Sequence, residues 1–252
     1  MISVILARPE NPENIGLAAR AMKNTGFRDL RLVGIRRIRV KAFASAVHAA
    51  DILEGARLFP DLPTAAADLQ VVFAATARPR SNFPALTLEA ALAKIAAYPA
   101  STRIGLLFGN ERTGLTTEEM RSSTFRFSIP QAGRQPSYNL AMAVLLTLFP
   151  LFMAGAAAGS GTPVSSAAAA APPLPRAEQD AVIERILAIL GERGFLHDTN
   201  RRHVTDVVFE LFGRLAMTAK DRNLLLAVFH KGAGARAADG GRRGRAPSLK
   251  EL

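Results

Sequence analysis

Residues 104–144 read IGLLFG (Ile104–Gly109), NERTGLT (Asn110–Thr116), FRFSIP (Phe125–Pro130) and QAGRQPSYNLAMAV (Gln131–Val144). Two short apolar runs of strand character each end in a loop carrying Gly, Asn, Ser or Glu, and an apolar helical pattern follows the second loop. Parallel α/β sheets bind ligands at the carboxyl ends of their strands, so both loops are placed to form one pocket. The spacing Gly109-x4-Gly114 matches half of a phosphate-binding P-loop. Leu115, however, stands where that motif needs Lys, which excludes a nucleoside triphosphatase loop.

Upstream, the chain repeats one unit. TLEAALAKIAAY (Thr87–Tyr98) is predicted as a helix from its Ala and Leu content. VVFAAT (Val71–Thr76), LRLVG (Leu30–Gly34) and SVILA (Ser3–Ala7) are apolar runs of strand length, and a short strand is expected at Arg57–Phe59. Helices are predicted after RPENPEN, with Asn14 as N-cap and Gly26 as the residue that ends it, then over 42–54 and around 64–69. Such β–α alternation argues for a parallel sheet covered on both faces. Arg36, Arg37, Arg39 and Lys41 crowd together just after the second strand. They read either as a solvated loop or as an edge that contacts phosphates.

Downstream, no charged residue occurs from Gln135 through Pro175. Leu140–Ala158 reaches the roughly 18 apolar residues that flag a membrane span. Pro150 and Gly155 interrupt it and no charged flanks anchor it, so a packed helix is expected and no membrane. Four units follow from these patterns: a catalytic α/β domain at 1–156, an Ala/Pro/Ser-rich linker at 157–175, an all-α module at 176–231 and a basic tail at 232–252. The module shows helical patterns at 176–191, 203–217 and 222–229, and the Gly/Arg-rich tail is predicted to be disordered.

The 252 residues carry a net charge of +11 and no cysteine, with 49% hydrophobic residues. Residues 1–134 hold +7 of that charge, 176–232 hold +1 and 233–252 hold +3. A basic chain favours a polyanionic partner, because neutralised phosphates release counterions. The absence of Cys rules out disulfides, thiol nucleophiles and Cys-ligated zinc, and it suits a cytoplasmic protein. The apolar run Ile2–Ala7 is too short for the core of a signal peptide. His48, His197, His203 and His230 show no metal-ligand spacing, so no metal is expected.

FGNERTGLT followed by SIP and PSYNLAMAV resembles the second and third motifs of the SPOUT superfamily, in its SpoU/TrmH branch. The first motif of that branch, an Asn six residues before an Arg, is matched by Asn14-Ile-Gly-Leu-Ala-Ala-Arg20. Together the three motifs span about the first 155 residues. The region from Gly194 to Gly232 resembles the helical carboxyl-terminal module of the TrmJ-like tRNA methyltransferases. It departs from the Arg-richer second helix of those proteins by carrying Asp206 and Glu210.

The resemblance implies a knotted (trefoil) parallel-sheet domain, a homodimer, and a ribose 2′-O-methyltransferase that takes its methyl group from S-adenosylmethionine. It assigns Arg20 to the attacking hydroxyl, and gives Asn14 the task of orienting Arg20 or the ribose. Glu111, Ser137 and Asn139 are to hold the loops and substrate. The cofactor pocket carried over is Ala75, Thr76 and Ala77 after one strand, Gly109 after the next, and Ile129, Pro136, Ser137 and Tyr138. The implied substrate is RNA, specifically tRNA at the first nucleotide of the anticodon loop. Ribosomal RNA methylation and a non-catalytic RNA-binding role on the same scaffold are the alternatives. Intact Asn14, Arg20, Glu111 and Asn139 argue against the non-catalytic one.

Overall fold

In the computed structural model, residues 1–77, 85–132, 137–158 and 171–231 are described; for 156–158 and Lys231 this holds for the backbone alone. The strands are β1 (Ile2–Ala7), β2 (Asp29–Val33), β3 (Arg57–Phe59), β4 (Val71–Ala75), β5 (Leu86–Thr87), β6 (Ile104–Phe108) and β7 (Phe125–Ser128). They form one sheet in the order β3-β2-β1-β6-β4-β7-β5, and every pairing is parallel. The chain adds strands to one side of β1 and then to the other, with β6 inserted between β1 and β4. That reversal sets the carboxyl ends of β1, β6 and β4 side by side, where such sheets bind ligands.

Alternate residues of the central strands point into two separate cores. Val4, Leu6, Phe73, Leu106 and Phe108 face α1 (Pro12–Asn24), α2 (Val40–Ala46), α3 (Ala50–Glu54), α5 (Leu88–Ala97) and α7 (Leu140–Ala158). Ile5, Ala7, Val72, Ala74 and Leu107 face α4 (Leu62–Ala66) and α6 (Thr117–Arg121). Burial on both faces is why these strands read as unbroken apolar runs.

Local chemistry sets the helix boundaries and corrects several sequence expectations. Asn11, not Asn14, caps α1: its side chain accepts from Glu13 N, and Pro12 occupies the first turn, where its missing N–H costs nothing. Asn14 is thereby one turn inside the helix and buried. Gly26, at φ +80°, closes the helix with Phe27 N donating to Met22 O, as expected. The helix predicted over 42–54 is two, because Val47 takes φ 55° between α2 and α3. The helix expected around 64–69 starts earlier, capped by Asp61.

α8 (Arg176–Glu192), α9 (Arg201–Gly213) and α10 (Ala219–Lys231) share a third core around Ile183, Ile186 and Met217. These helices are docked on the sheet domain. Arg176, 1% exposed, donates to the Arg121 and Gly213 carbonyls and to Asp180, while its own N–H reaches Leu69 O at 2.6 Å. Gln179 donates to Gln70 O, Arg121 pairs with Asp206, and Arg126 pairs with Glu210 at 3.2 Å. Asp206 and Glu210, which set the module apart in sequence, are therefore its anchors. The stretch expected to be an unanchored linker is held at its end, with Leu174 N on Met217 O and Pro173 O accepting from Gln70. Residues 159–170 and the basic tail lie outside the described residues. Among the described residues no helix is long and apolar enough to cross a membrane.

Candidate active site

A cavity of about 240 Å³ opens at the carboxyl ends of β4, β6 and β7. Ala75, Thr76 and Ala77 line it from β4, Gly109 and Glu111 from β6, and Ile129, Ser137 and Tyr138 from the stretch after β7. Pro136 lies outside the described residues. A Cβ on Gly109 would stand 2.5 Å from both Gly114 C and Leu115 N, so glycine lets the loop fold back against the strand end. Gly114, at φ +66°, makes the return turn.

Asn110 holds this loop and escaped the sequence reading. Its carboxamide oxygen accepts from Arg112 N at 2.9 Å and Thr113 N at 3.0 Å, and its nitrogen donates to Arg8 O at 2.8 Å. Asx-turn chemistry beside a glycine was the signal available in the sequence. Arg8, at φ 50°, also donates to Gly114 O, and it grips both carboxylate oxygens of Glu119, at 2.6 and 2.9 Å. Glu119 in turn completes the capping box of α6. Leu115, Met120, Gln131, Leu140 and Ala143 supply walls that the motifs did not mark. Tyr138 contributes its ring to the wall, and its hydroxyl donates to Pro130 O at 2.8 Å.

Beside the cavity, residues from all three motifs meet in one chain of hydrogen bonds. Asn139 donates to Asn14 Oδ1 at 2.8 Å, and Asn14 donates to Glu111 Oε1 at 2.9 Å. Glu111 also accepts from the backbone N–H groups of Glu10 and Asn11. Burial pushes the Glu111 carboxyl up, but these donors outweigh it and hold the group below its ordinary range. Asn139 caps α7, accepting from Ala141 N and Met142 N.

Arg20 is placed differently. It lies on the exposed face of α1, outside the cavity lining, and has no side-chain hydrogen bond among the described residues. Asn14 does not orient it by a hydrogen bond, since the bonds of Asn14 go to Glu111 and Asn139. On the same side, Leu17 of α1 and Met142, Leu145, Leu146, Phe149, Phe152 and Met153 of α7 are exposed.

The sequence pattern of the SpoU rRNA Methylase family matches residues 1–149, which contain every element of this cavity. The chain belongs to that family. As a SpoU-family protein it is an RNA methyltransferase. It is 33% identical to a tRNA (cytidine/uridine/adenosine-2′-O-)-methyltransferase, TrmJ, of Pseudomonas aeruginosa over 90% of this chain and 91% of the relative. It is 34% identical to LasT of Escherichia coli, an uncharacterized tRNA/rRNA methyltransferase, over 60% of this chain and 67% of that one. The crystal structure of TrmJ from Z. mobilis ZM4 superposes with a TM-score of 0.78 at 30% identity, covering 92% of this chain and 99% of that one. The SpoU match ends within α7, whereas the two TrmJ relatives extend over the docked helices.

Proposed function

We propose that this SpoU-family enzyme is a ribose 2′-O-methyltransferase that uses S-adenosylmethionine and acts on tRNA at the first nucleotide of the anticodon loop. The observation that carries the reading is the cavity walled by the folded-back Gly109–Leu115 loop beside the Asn14–Glu111–Asn139 chain. Substrate class follows the P. aeruginosa relative, which aligns over both the sheet domain and the helical module. Ribosomal RNA is the second reading, favoured by the family's description.

The residues present suit the cofactor. Phe108, Leu115, Ile129 and Leu140 offer apolar walls for a planar base, and the small Ala75, Ala77 and Gly109 leave backbone polar groups open to a ligand. When bound, S-adenosylmethionine supplies an electrophilic methyl group on a sulfonium. The protein's share is to align the attacking hydroxyl with that methyl group and to stabilise the charge that grows on its oxygen. Arg20 is the residue proposed for the second task, since a guanidinium stays protonated and can donate to a forming alkoxide.

Because Arg20 lies outside its own cavity, a second copy completes the site in this reading. The apolar stripe of α7 and Leu17 beside Arg20 supply the homodimer face, which would place Arg20 at the partner's cavity. Domain roles follow: residues 1–156 catalyse and dimerise, and the helices from 176 to 231 recognise shape in the RNA.

The test is to incubate the protein with S-adenosylmethionine and unmodified tRNA and map the 2′-O-methyl groups. Methylation at the first anticodon-loop nucleotide is expected. Modification confined to ribosomal RNA would transfer the reading to the second substrate. Absence of methyl transfer to either RNA would overturn the reading.

A further inference from the structure

We propose that residues 34–41 form a ridge that binds backbone phosphates of the RNA substrate, with Arg36, Arg37, Arg39 and Lys41 as its cations. The proposal rests on the RNA methyltransferase reading and adds where the RNA runs.

Placement comes first. The segment leaves β2 at its carboxyl end, and the parallel sheet puts that end on the same edge as the cavity loops. From β2 across β1 to β6 is two strand spacings, roughly 10 Å. A strand of RNA with one nucleotide at the cavity passes the ridge within a few phosphates.

Presentation is fixed by the fold. Gly34, at φ +76°, turns the chain, and its N–H is held by Phe59 O at 2.9 Å. Ile35 and Ile38 pack against the core while Arg36, Arg37 and Arg39 between and beyond them are exposed. The far end is pinned by α2, which crosses α1 so closely that a Cβ on Gly16 would stand 2.1 Å from Ala42 O. Two apolar anchors and two fixed ends lower the entropy lost when the cations are engaged.

Pairing sets these cations apart. Their neighbours on the same strands are neutralised: Arg8 by Glu119, Arg31 by Asp29 and Asp68, and Arg57 by Asp29. None of Arg36, Arg37, Arg39 and Lys41 has a side-chain hydrogen bond or ion pair among the described residues. Four unpaired like charges within six residues repel one another, and a polyanion relieves that repulsion as its counterions leave.

The experiment uses the full chain and two double variants, Arg36→Ala/Arg37→Ala and Arg39→Ala/Lys41→Ala, with tRNA binding measured over a salt series. Each pair is expected to lower the log–log salt slope by about 1.4–1.8, at 0.7–0.9 per phosphate contact. The RNA KM should rise about tenfold, with kcat at saturating RNA and the KM for the methyl donor unchanged. A triple variant, Arg36→Lys/Arg37→Lys/Arg39→Lys, keeps the charge and should recover the slope. If the wild type methylates RNA and both double variants keep its slope and RNA KM, the ridge is not a contact and the proposal fails. A fall in kcat alone would also overturn it. If the wild type neither binds nor methylates RNA, the substrate reading fails, which is a separate outcome.

Discussion

Asn139 Nδ2 donates to Asn14 Oδ1 at 2.8 Å, although the two residues stand 125 positions apart. One end of this bond caps α7 and the other sits a turn inside α1, where Asn14 also reaches Glu111. The bond therefore fixes the mutual position of two helices and of the loop after β6. Only a side chain that both donates and accepts can serve there.

Asn14→Ala should lower stability by about 1–3 kcal/mol, the cost of leaving buried polar groups without partners. Asn14→Asp should cost more at pH 7, because it sets a second carboxylate against Glu111. Chemical denaturation of both variants at pH 7 and pH 4 checks this. The gap between them should narrow at the lower pH as the introduced carboxyl takes up a proton.

Arg20→Ala should abolish methyl transfer while leaving the affinity for S-adenosylmethionine unchanged. The reason is placement: the side chain is exposed on α1 and outside the cavity. An interaction made only in the transition state lowers kcat without weakening ground-state binding. Calorimetry beside a methylation assay reads the two effects, and near-normal methylation by the folded variant would remove Arg20 from the mechanism.

Acid should loosen the cavity through Glu119 and Glu111. Burial pushes the Glu119 carboxyl up, but Arg8 and Thr116 hold it below its ordinary value of 4.5, and Glu111 is held down likewise. Groups held down add stability that is complete above about pH 4.5 and disappears as pH falls through their lowered folded values. Glu119→Gln should cost about 1–2 kcal/mol at pH 7, at the modest end for a charge-assisted pair because Arg8 is partly open to solvent. It should also flatten the loss of stability below pH 4.5. Thermal melts from pH 3 to pH 7 test both statements.

Val47→Gly should stabilise the protein. Val47 adopts φ 55° and ψ −106°, a conformation that crowds a β-branched side chain, and it is half exposed. Relief of strain of about 1–3 kcal/mol, less roughly 0.5–1 kcal/mol for the freer unfolded chain, leaves a gain of about 1 kcal/mol. The melting temperature should rise by about 2–4 °C.

Removing residues 176–252 should preserve cofactor binding and the dimer face, which α1 and α7 supply, and should abolish most methylation of full-length tRNA. The truncated protein should also melt earlier, because Arg121, Arg126 and Gln70 lose their partners. Equal methylation by truncated and intact protein would show that the helices do not recognise the substrate.

How much of this was legible depended on distance along the chain. The strands were visible because burial on both faces leaves continuous apolar runs, and the loops after β4, β6 and β7 could be placed at one edge from the repeated β–α pattern. The cap of α1 was misread because two asparagines stand three residues apart, and Pro12 decides between them. Strand β5, two residues long, is too short to leave a pattern. The break at Val47 runs against the preference of its own residue type. Asp206 and Glu210 looked out of place on an apolar helix because Arg121 and Arg126, which pair with them, lie more than 80 positions earlier. Asn110 was adjacent to the motif yet invisible as a hub, since its partners include Arg8, 102 positions away.

The insertion of β6 between β1 and β4 has a consequence for synthesis. Leu106 pairs with Val4 on one side and with Phe73 on the other, so the strand at the middle of the sheet is among the last to be made. Until the ribosome has released residues 104–108, β1 and β4 each lack a neighbour and present open hydrogen-bonding edges. Such edges attract other chains. At about 5–20 residues per second, the nascent protein passes some seconds in this open form after β4 emerges. The Gly109 loop follows β6 directly, so the cavity cannot exist before the sheet is whole, and a nascent chain that has not closed its sheet has no site with which to engage a methyl donor.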